Sequence, residues 1–207
     1  MENIVKFDKP YKFEGEEYDS LDLSGMEKMT VQDLIDVQKN IGNEMVAMSV
    51  MEMSTAFAQE MAVKATGKPV EFFKLMPRSK IKKVQAAIIK SMDNSEKADE
   101  IKKQLESHAL KFAAPYTYEG SEKAELKGQT FDGVDLSGVG ELNTMSESTA
   151  ENRMVAGGFA LVNTHRNYLY CCIIASMGTG YPVDFFAGLP LSEAVKLRDA
   201  VNADFFE

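Results

Sequence analysis

The sequence has few of the residues that carry most catalytic and redox chemistry. Its 207 residues include two histidines and two cysteines. Cys171 and Cys172 are neighbours, so a disulfide between them would be strained and could not join distant segments. We interpret them as reduced thiols on a buried helix, which indicates a reducing compartment.

The sequence predicts no metal site, cofactor or catalytic cluster. His165 lies six and seven residues before the two cysteines. This spacing matches no known zinc pattern and offers three candidate ligands. Ser24 and Ser137 do not lie in a nucleophile elbow, and no glycine-rich phosphate loop follows a strand. We interpret Asp22 and Asp135 as turn or cap acids rather than a catalytic pair, and we expect the protein not to be an enzyme.

An excess of positive charge is also absent. The chain has 23 Lys+Arg and 32 Asp+Glu, a formal net charge of −9. This balance argues against a nucleic-acid binder that works through phosphate contacts. From Ala114 onward there are 13 acidic and 6 basic residues, against 19 and 17 before it. The C-terminal part therefore presents the more acidic surface.

Long hydrophobic runs are missing as well, so the sequence predicts no membrane-spanning segment. Residues 1–4, MENI, contain no basic segment followed by an apolar run. We therefore expect no signal peptide and a protein of the cytoplasm.

The strongest feature that is present is a stretch that occurs twice. Residues 67–77 read GKPVEFFKLMP and residues 180–190 read GYPVDFFAGLP, an offset of 113. The motifs LDLSG at 21–25 and VDLSG at 134–138 have the same offset. Two matched pairs at one offset indicate a tandem duplication.

Each copy of the longer stretch predicts a corner between two helices. The glycine can end a helix in the left-handed conformation, and the proline after it prevents continuation. Two phenylalanines then enter the core, and a second proline sets the backbone for the next helix. We interpret the corners as structural rather than ligand-binding. Their residues are Gly67, Pro69, Phe72, Phe73, Pro77, Gly180, Pro182, Phe185, Phe186 and Pro190.

The predicted fold is α+β and predominantly helical. It consists of two tandem repeats, each a β-hairpin followed by about three helices, over residues 1–93 and 114–207. A connector helix over 94–113 joins them, with a narrow apolar seam that includes His108 and Phe112. Further helices are expected over about 44–65 and over 147–177, the latter weakened at residues 157–158. Thr30 and Asp33 match a capping box at the start of the first helix.

Methionine is concentrated in the first repeat. Its flexible and polarisable side chain suits surfaces that accept varied apolar partners. Apolar stripes on helices nevertheless form core more often than binding grooves. The sequence leaves both readings open, and the candidate partner-binding residues are Met45, Met48 and Met51.

The order of these motifs resembles the tail assembly chaperones of tailed bacteriophages, in particular those of contractile-tailed phages and prophages. The likeness rests in the first repeat on residues 21–25, Thr30, Leu34, residues 65–70, Phe73, Leu75 and Pro77. In the second repeat it rests on residues 134–138 and 179–183, Phe186, Leu189 and Pro190. Members of that family usually comprise a single unit of about this size, whereas here two are fused. In the second repeat, Glu147 and Ser148 replace Leu34 and Ile35.

The resemblance implies a non-enzymatic role in the cytoplasm of an infected bacterium. Such chaperones hold the tape measure protein soluble while the tail tube polymerises around it. The implied partners are the tape measure protein and, secondarily, the tail tube protein, with a homo-oligomer as a further candidate. The alternative is a structural component of the tail, such as a tail-completion or baseplate protein.

Overall fold

The computed structural model describes residues 3–42, 51–92 and 107–206. It is a mixed α/β structure in which helices dominate, and this confirms the coarse fold class predicted from the sequence. We call residues 3–92 the first half and residues 107–206 the second half. The elements are β1 Ile4–Phe13, β2 Glu16–Asp22, α1 Val31–Ile41, α2 Thr55–Thr66, α3 Val70–Lys74, α4 Arg78–Met92, β3 Ala109–Thr117, β4 Thr130–Asp135, α5 Thr144–Ala156, α6 Tyr168–Thr179, α7 Val183–Ala187 and α8 Ala194–Phe205.

Each half begins with a two-stranded antiparallel hairpin. β1 pairs with β2 around a turn at Glu14 and Gly15, both with positive φ. β3 pairs with β4, and the loop between them contains a short 3-10 helix, Ala124–Leu126. In both hairpins the register shifts at the same place, just before Tyr11 and just before Tyr116. The eight extra residues of the second hairpin therefore lie in its loop.

The predicted connector helix is wrong at its C-terminal end. β3 begins at Ala109, and His108 has a φ of 52° in the preceding turn. Phe112 lies in the strand and contacts the Tyr116 ring, so the second hairpin begins before residue 114. Pairing with β4 and Pro115, which lacks an N–H, both oppose a helix here. Residues 94–106 of the predicted connector lie outside the described residues.

Two long predicted helices are shorter in the structure. A 3-10 turn, Met51–Met53, precedes α2, because the Ser54 hydroxyl caps the helix by accepting the Phe57 N–H at 3.0 Å. Residues 43–50 lie outside the described part of the chain. The second stretch divides into α5 and α6 beyond Gly157, and Asn167 caps α6 by accepting the Tyr170 N–H at 2.9 Å. Side-chain caps thus set both starts.

The buried apolar side chains of the two halves form one contiguous core. The contact between the halves includes a polar cluster in which the Arg198 guanidinium lies 3.1 Å from the Glu52 carboxylate and 3.2 Å from the Tyr168 hydroxyl. In the described residues, no helix is long and apolar enough to cross a bilayer.

Candidate partner-binding face

The two corners have matching backbone geometry. Gly67 and Gly180 end α2 and α6 in the left-handed conformation, with φ of 67° and 76°. Their N–H groups donate to the carbonyls of the fourth residue before them, at 2.8 and 2.9 Å. Pro69 and Pro182 then occupy the N-cap positions of α3 and α7. Local chemistry therefore positions both corners alike.

The corner phenylalanines are part of the buried interior. Phe72, Phe73, Phe185 and Phe186 are all buried. Hairpin aromatics surround the first ring of each pair, in edge-on contacts for the most part: Tyr11, Phe13 and Tyr18 at Phe72, and Tyr116, Phe131 and Tyr118 at Phe185. These clusters join each hairpin to its corner, which is a structural role.

The two Asp-Leu-Ser-Gly motifs form turns. Asp22 and Asp135 each accept the backbone N–H of the serine two residues on, at 2.8 Å, and this hydrogen bond lowers the pKa of both carboxyls. Gly25 is required because a Cβ there would overlap the Ala65 carbonyl at the end of α2. The motifs therefore seat each hairpin against the helix that leads into its corner.

The cysteines and His165 do not form a site together. Both thiols are buried, and burial raises the pKa of Cys171 to about 12. The His165 ring packs against Phe206 instead. Within residues 3–42, 51–92 and 107–206, no group of three or more His, Cys, Asp or Glu side chains could hold a metal ion.

The methionine prediction needs correction. Met51 is 4% exposed and belongs to the core, so it cannot meet a partner, while Met45 and Met48 lie outside the described residues. Among the methionines that the structure describes in the first half, Met53 is the exposed one, at 60%. The 3-10 turn before α2 changes the direction in which these side chains point, and a continuous helical pattern does not reveal this.

The second half has a face that receives a helix, and α1 of the first half occupies it. The Val31 N–H donates to the Leu189 carbonyl and the Leu191 N–H donates to the Met29 carbonyl, both at 2.9 Å. Further along α1, Gln38 accepts the Tyr168 N–H and donates to the Arg166 carbonyl, both at 3.0 Å. We call this surface, at the start of α6 and around residues 187–191, the filled face.

The same surface of the first half is exposed in the part of the chain that the structure describes. Counterparts are residues 113 positions apart, the offset at which α1, α2 and α3 recur as α5, α6 and α7. The counterpart of Arg166 is Met53, 60% exposed, and Leu75, between the counterparts of Ala187 and Leu189, is 70% exposed. We call this surface the open face. Its other exposed residues are Thr55, Lys74, Pro77 and Arg78.

No protein-family model, curated protein or solved structure matches this chain. The open face combines two exposed apolar side chains with a short corner and the first turn of α2. In the second half, the corresponding arrangement binds an amphipathic helix and the extended residues before it.

Proposed function

We propose that this protein is a non-enzymatic tail assembly chaperone that binds an apolar helical segment of a tape measure protein and keeps it soluble. The observation that carries the proposal is the open face, where Met53 and Leu75 are exposed at 60% and 70%. Its counterpart in the same chain receives a helix, so the corner is a shape that helices can fit.

The likeness of the Asp-Leu-Ser-Gly and Gly-x-Pro-Val motifs to the phage chaperones also supports this proposal. So does the recurrence of the elements at one offset, which we attribute to a tandem duplication of a single ancestral unit. A role during tail assembly implies the cytoplasm of the bacterial host as the site of action. The tail tube protein is the second expected partner.

The test is co-expression with the tape measure protein of a contractile tail, followed by a solubility assay and a pull-down. We expect the partner to remain soluble only when this chain is present. The complex should persist at about 1 M salt, where surface ion pairs are screened, because the contact is apolar.

A double substitution, Met53→Asp with Leu75→Asp, should abolish the pull-down, because it places two charges on the open face. Leu161→Asp is the matched control, since Leu161 is 52% exposed in the second half. Equal solubility of the partner with and without this chain would contradict the proposal. Detection of the protein in purified tails would then favour the structural-component alternative.

A further inference from the structure

The surface of α5 is the counterpart of the surface by which α1 docks. On α1, Val31, Ile35 and Gln38 lie on one stripe and are buried. The same stripe on α5 carries Thr144 and Ser148, which are exposed, and Glu151, which is half-buried. The spacing i, i+4, i+7 continues to Val155, which is 49% exposed. In the described part of the chain, the second half therefore presents a largely exposed stripe at the position by which α1 docks.

The open face and the α5 stripe differ in charge. On the open face, Lys74 and Arg78 stand where the filled face has the buried Ala187 and Leu191. On α5, Glu151 and Glu147 stand where α1 has Gln38 and Leu34.

The acid of α3, Glu71, is exposed, as Lys74 is. Its counterpart Asp184 accepts the backbone N–H groups of Ser121 and Glu122 in the longer loop of the second hairpin, which the first hairpin lacks. Lys74 and Arg78 outnumber this one acid, so the open face has an excess of positive charge, whereas the α5 stripe has two acids and no base.

We propose that a second copy of this chain docks its α5 stripe on the open face of the first half, head to tail. The new contact repeats the internal one between α1 and the filled face. In this arrangement Lys74 and Arg78 lie beside the part of α5 that carries Glu147, and this pairing replaces the apolar contact made inside the chain.

Of the two hydrogen bonds that Gln38 makes in the internal contact, one has an equivalent in the contact between copies and the other does not. Glu151 accepts the Thr55 N–H, as Gln38 accepts the Tyr168 N–H, at a helix N-terminus that favours an acid. A carboxylate has no N–H to donate to the Met53 carbonyl, whereas Gln38 donates to the Arg166 carbonyl. The contact between copies is therefore weaker than the internal one and sensitive to salt.

The arrangement also has a consequence for symmetry. A head-to-tail contact joins two different surfaces, so it extends into an open chain or closes into a ring rather than stopping at a two-fold dimer. The open face is shared with the helical partner proposed above, so the two occupants compete. The self-association test contains no tape measure protein, and its failure is therefore separate from failure of the chaperone proposal.

The experiment is sedimentation velocity of the full chain over a range of concentrations, at about 0.01 M and about 1 M salt. We expect the average mass to rise to at least about twice that of one chain at low salt. It should return to that of one chain at high salt. A mass equal to that of one chain under both conditions would overturn the proposal.

Charge reversal identifies the surfaces. Lys74→Glu with Arg78→Glu, or Glu147→Lys with Glu151→Lys, should each abolish association, because each sets like charges against each other. The chain with all four substitutions should associate again. An equimolar mixture of the two double variants should associate too, because each supplies the charge that the other lacks.

The control is Lys90→Glu with Lys127→Glu, which changes the net charge as much as the reversal of Lys74 and Arg78 does, at exposed positions elsewhere, and should leave association unchanged. Circular dichroism and thermal unfolding check that each variant is folded. Association that survives either reversal in a folded variant, or that the fourfold variant fails to restore, would refute the head-to-tail contact.

Discussion

The filled face and the open face are built from the same local structure, but only the filled face is covered by a helix. Both follow a glycine in the left-handed conformation, a proline cap and two buried phenylalanines. In the second half, buried Ala187 and Leu191 form part of a surface covered by α1. In the first half, Lys74, Leu75 and Arg78 face solvent.

The difference between the two faces is like the difference between inner and terminal units in repeat proteins. Stacked repeats bury their shared faces, and terminal repeats remain soluble by placing polar residues on the face that lacks a neighbour. The change from Leu34 and Ile35 on α1 to Glu147 and Ser148 on α5 fits this rule. The corner supplies the shape in both halves, and a few side chains decide whether it is covered.

The largest expected effect tests whether the two corners are equivalent in stability. Phe73→Ala and Phe186→Ala should each lower the free energy of unfolding by about 3–5 kcal/mol, because each removes a fully buried ring. Urea unfolding monitored by circular dichroism measures the change. A loss of less than about 1 kcal/mol for one of them would show that the two corners do not contribute equally to stability.

The next substitution compares the covered helix with the uncovered one. Gln38→Ala should cost about 1–3 kcal/mol, because it leaves the Arg166 carbonyl and the Tyr168 N–H without their partner. Glu151→Ala, at the counterpart position, should change the free energy of unfolding by less than about 0.5 kcal/mol. Both are measured below the concentration at which chains associate, and equal effects would show that α5 is covered as well.

A smaller effect is expected at the glycines of the corners. Gly67→Ala and Gly180→Ala should each cost about 1–2 kcal/mol, since each forces a side chain into the left-handed region. Gly140 has a φ of −66° and space for a Cβ, so Gly140→Ala serves as the control and should cost nothing. Thermal unfolding of the three variants makes the comparison, and a destabilised control would invalidate it.

The smallest expected effect is a pH dependence of stability. It should arise at the first helix of the first half and not at its counterpart in the second half. Burial tends to raise the pKa of Asp33, but the Lys64 ammonium and the Thr30 N–H outweigh it and the pKa is lowered. Stability from this carboxylate is present above its unfolded pKa of about 3.9 and is lost as pH falls through the lower folded pKa. The counterpart of Asp33 is Ser146, which does not titrate here.

Asp33→Asn should therefore cost about 1 kcal/mol at neutral pH, with the difference from the unmodified chain narrowing below about pH 4. Unfolding measured across this pH range gives the result. Asp132→Asn, at an exposed position of β4, is the control and should leave the profile unchanged. A constant cost across the range would exclude titration of Asp33 as the cause.

Local signals in the sequence predicted the features that depend on a few neighbouring residues. The corners are of this kind, because glycine and proline act through their own backbone angles. So is the capping box of Thr30 and Asp33, which the structure contains. The turn acids Asp22 and Asp135 also needed only the residues next to them.

The partner-binding face could not be predicted in this way. Met51 and Met53 differ by two positions in a methionine-rich segment, yet one is buried and the other exposed. The direction of each side chain follows from the 3-10 turn and from the hydroxyl of Ser54 that begins α2. The sequence predicts Met51 as a candidate partner-binding residue, whereas the structure buries Met51 and exposes Met53.

The sequence by itself determined the corners, the turns and the helical character of the chain, because these follow from dihedral preferences and the spacing of apolar residues. Only the tertiary structure decided that β3 replaces the end of the predicted connector and that α1 lies on the second half. Both depend on partners distant in the chain, namely β4 for β3 and residues 166–191 for α1. Whether a surface is covered depends on the residues that pack against it. The tertiary structure is therefore what distinguishes the open face from the filled face.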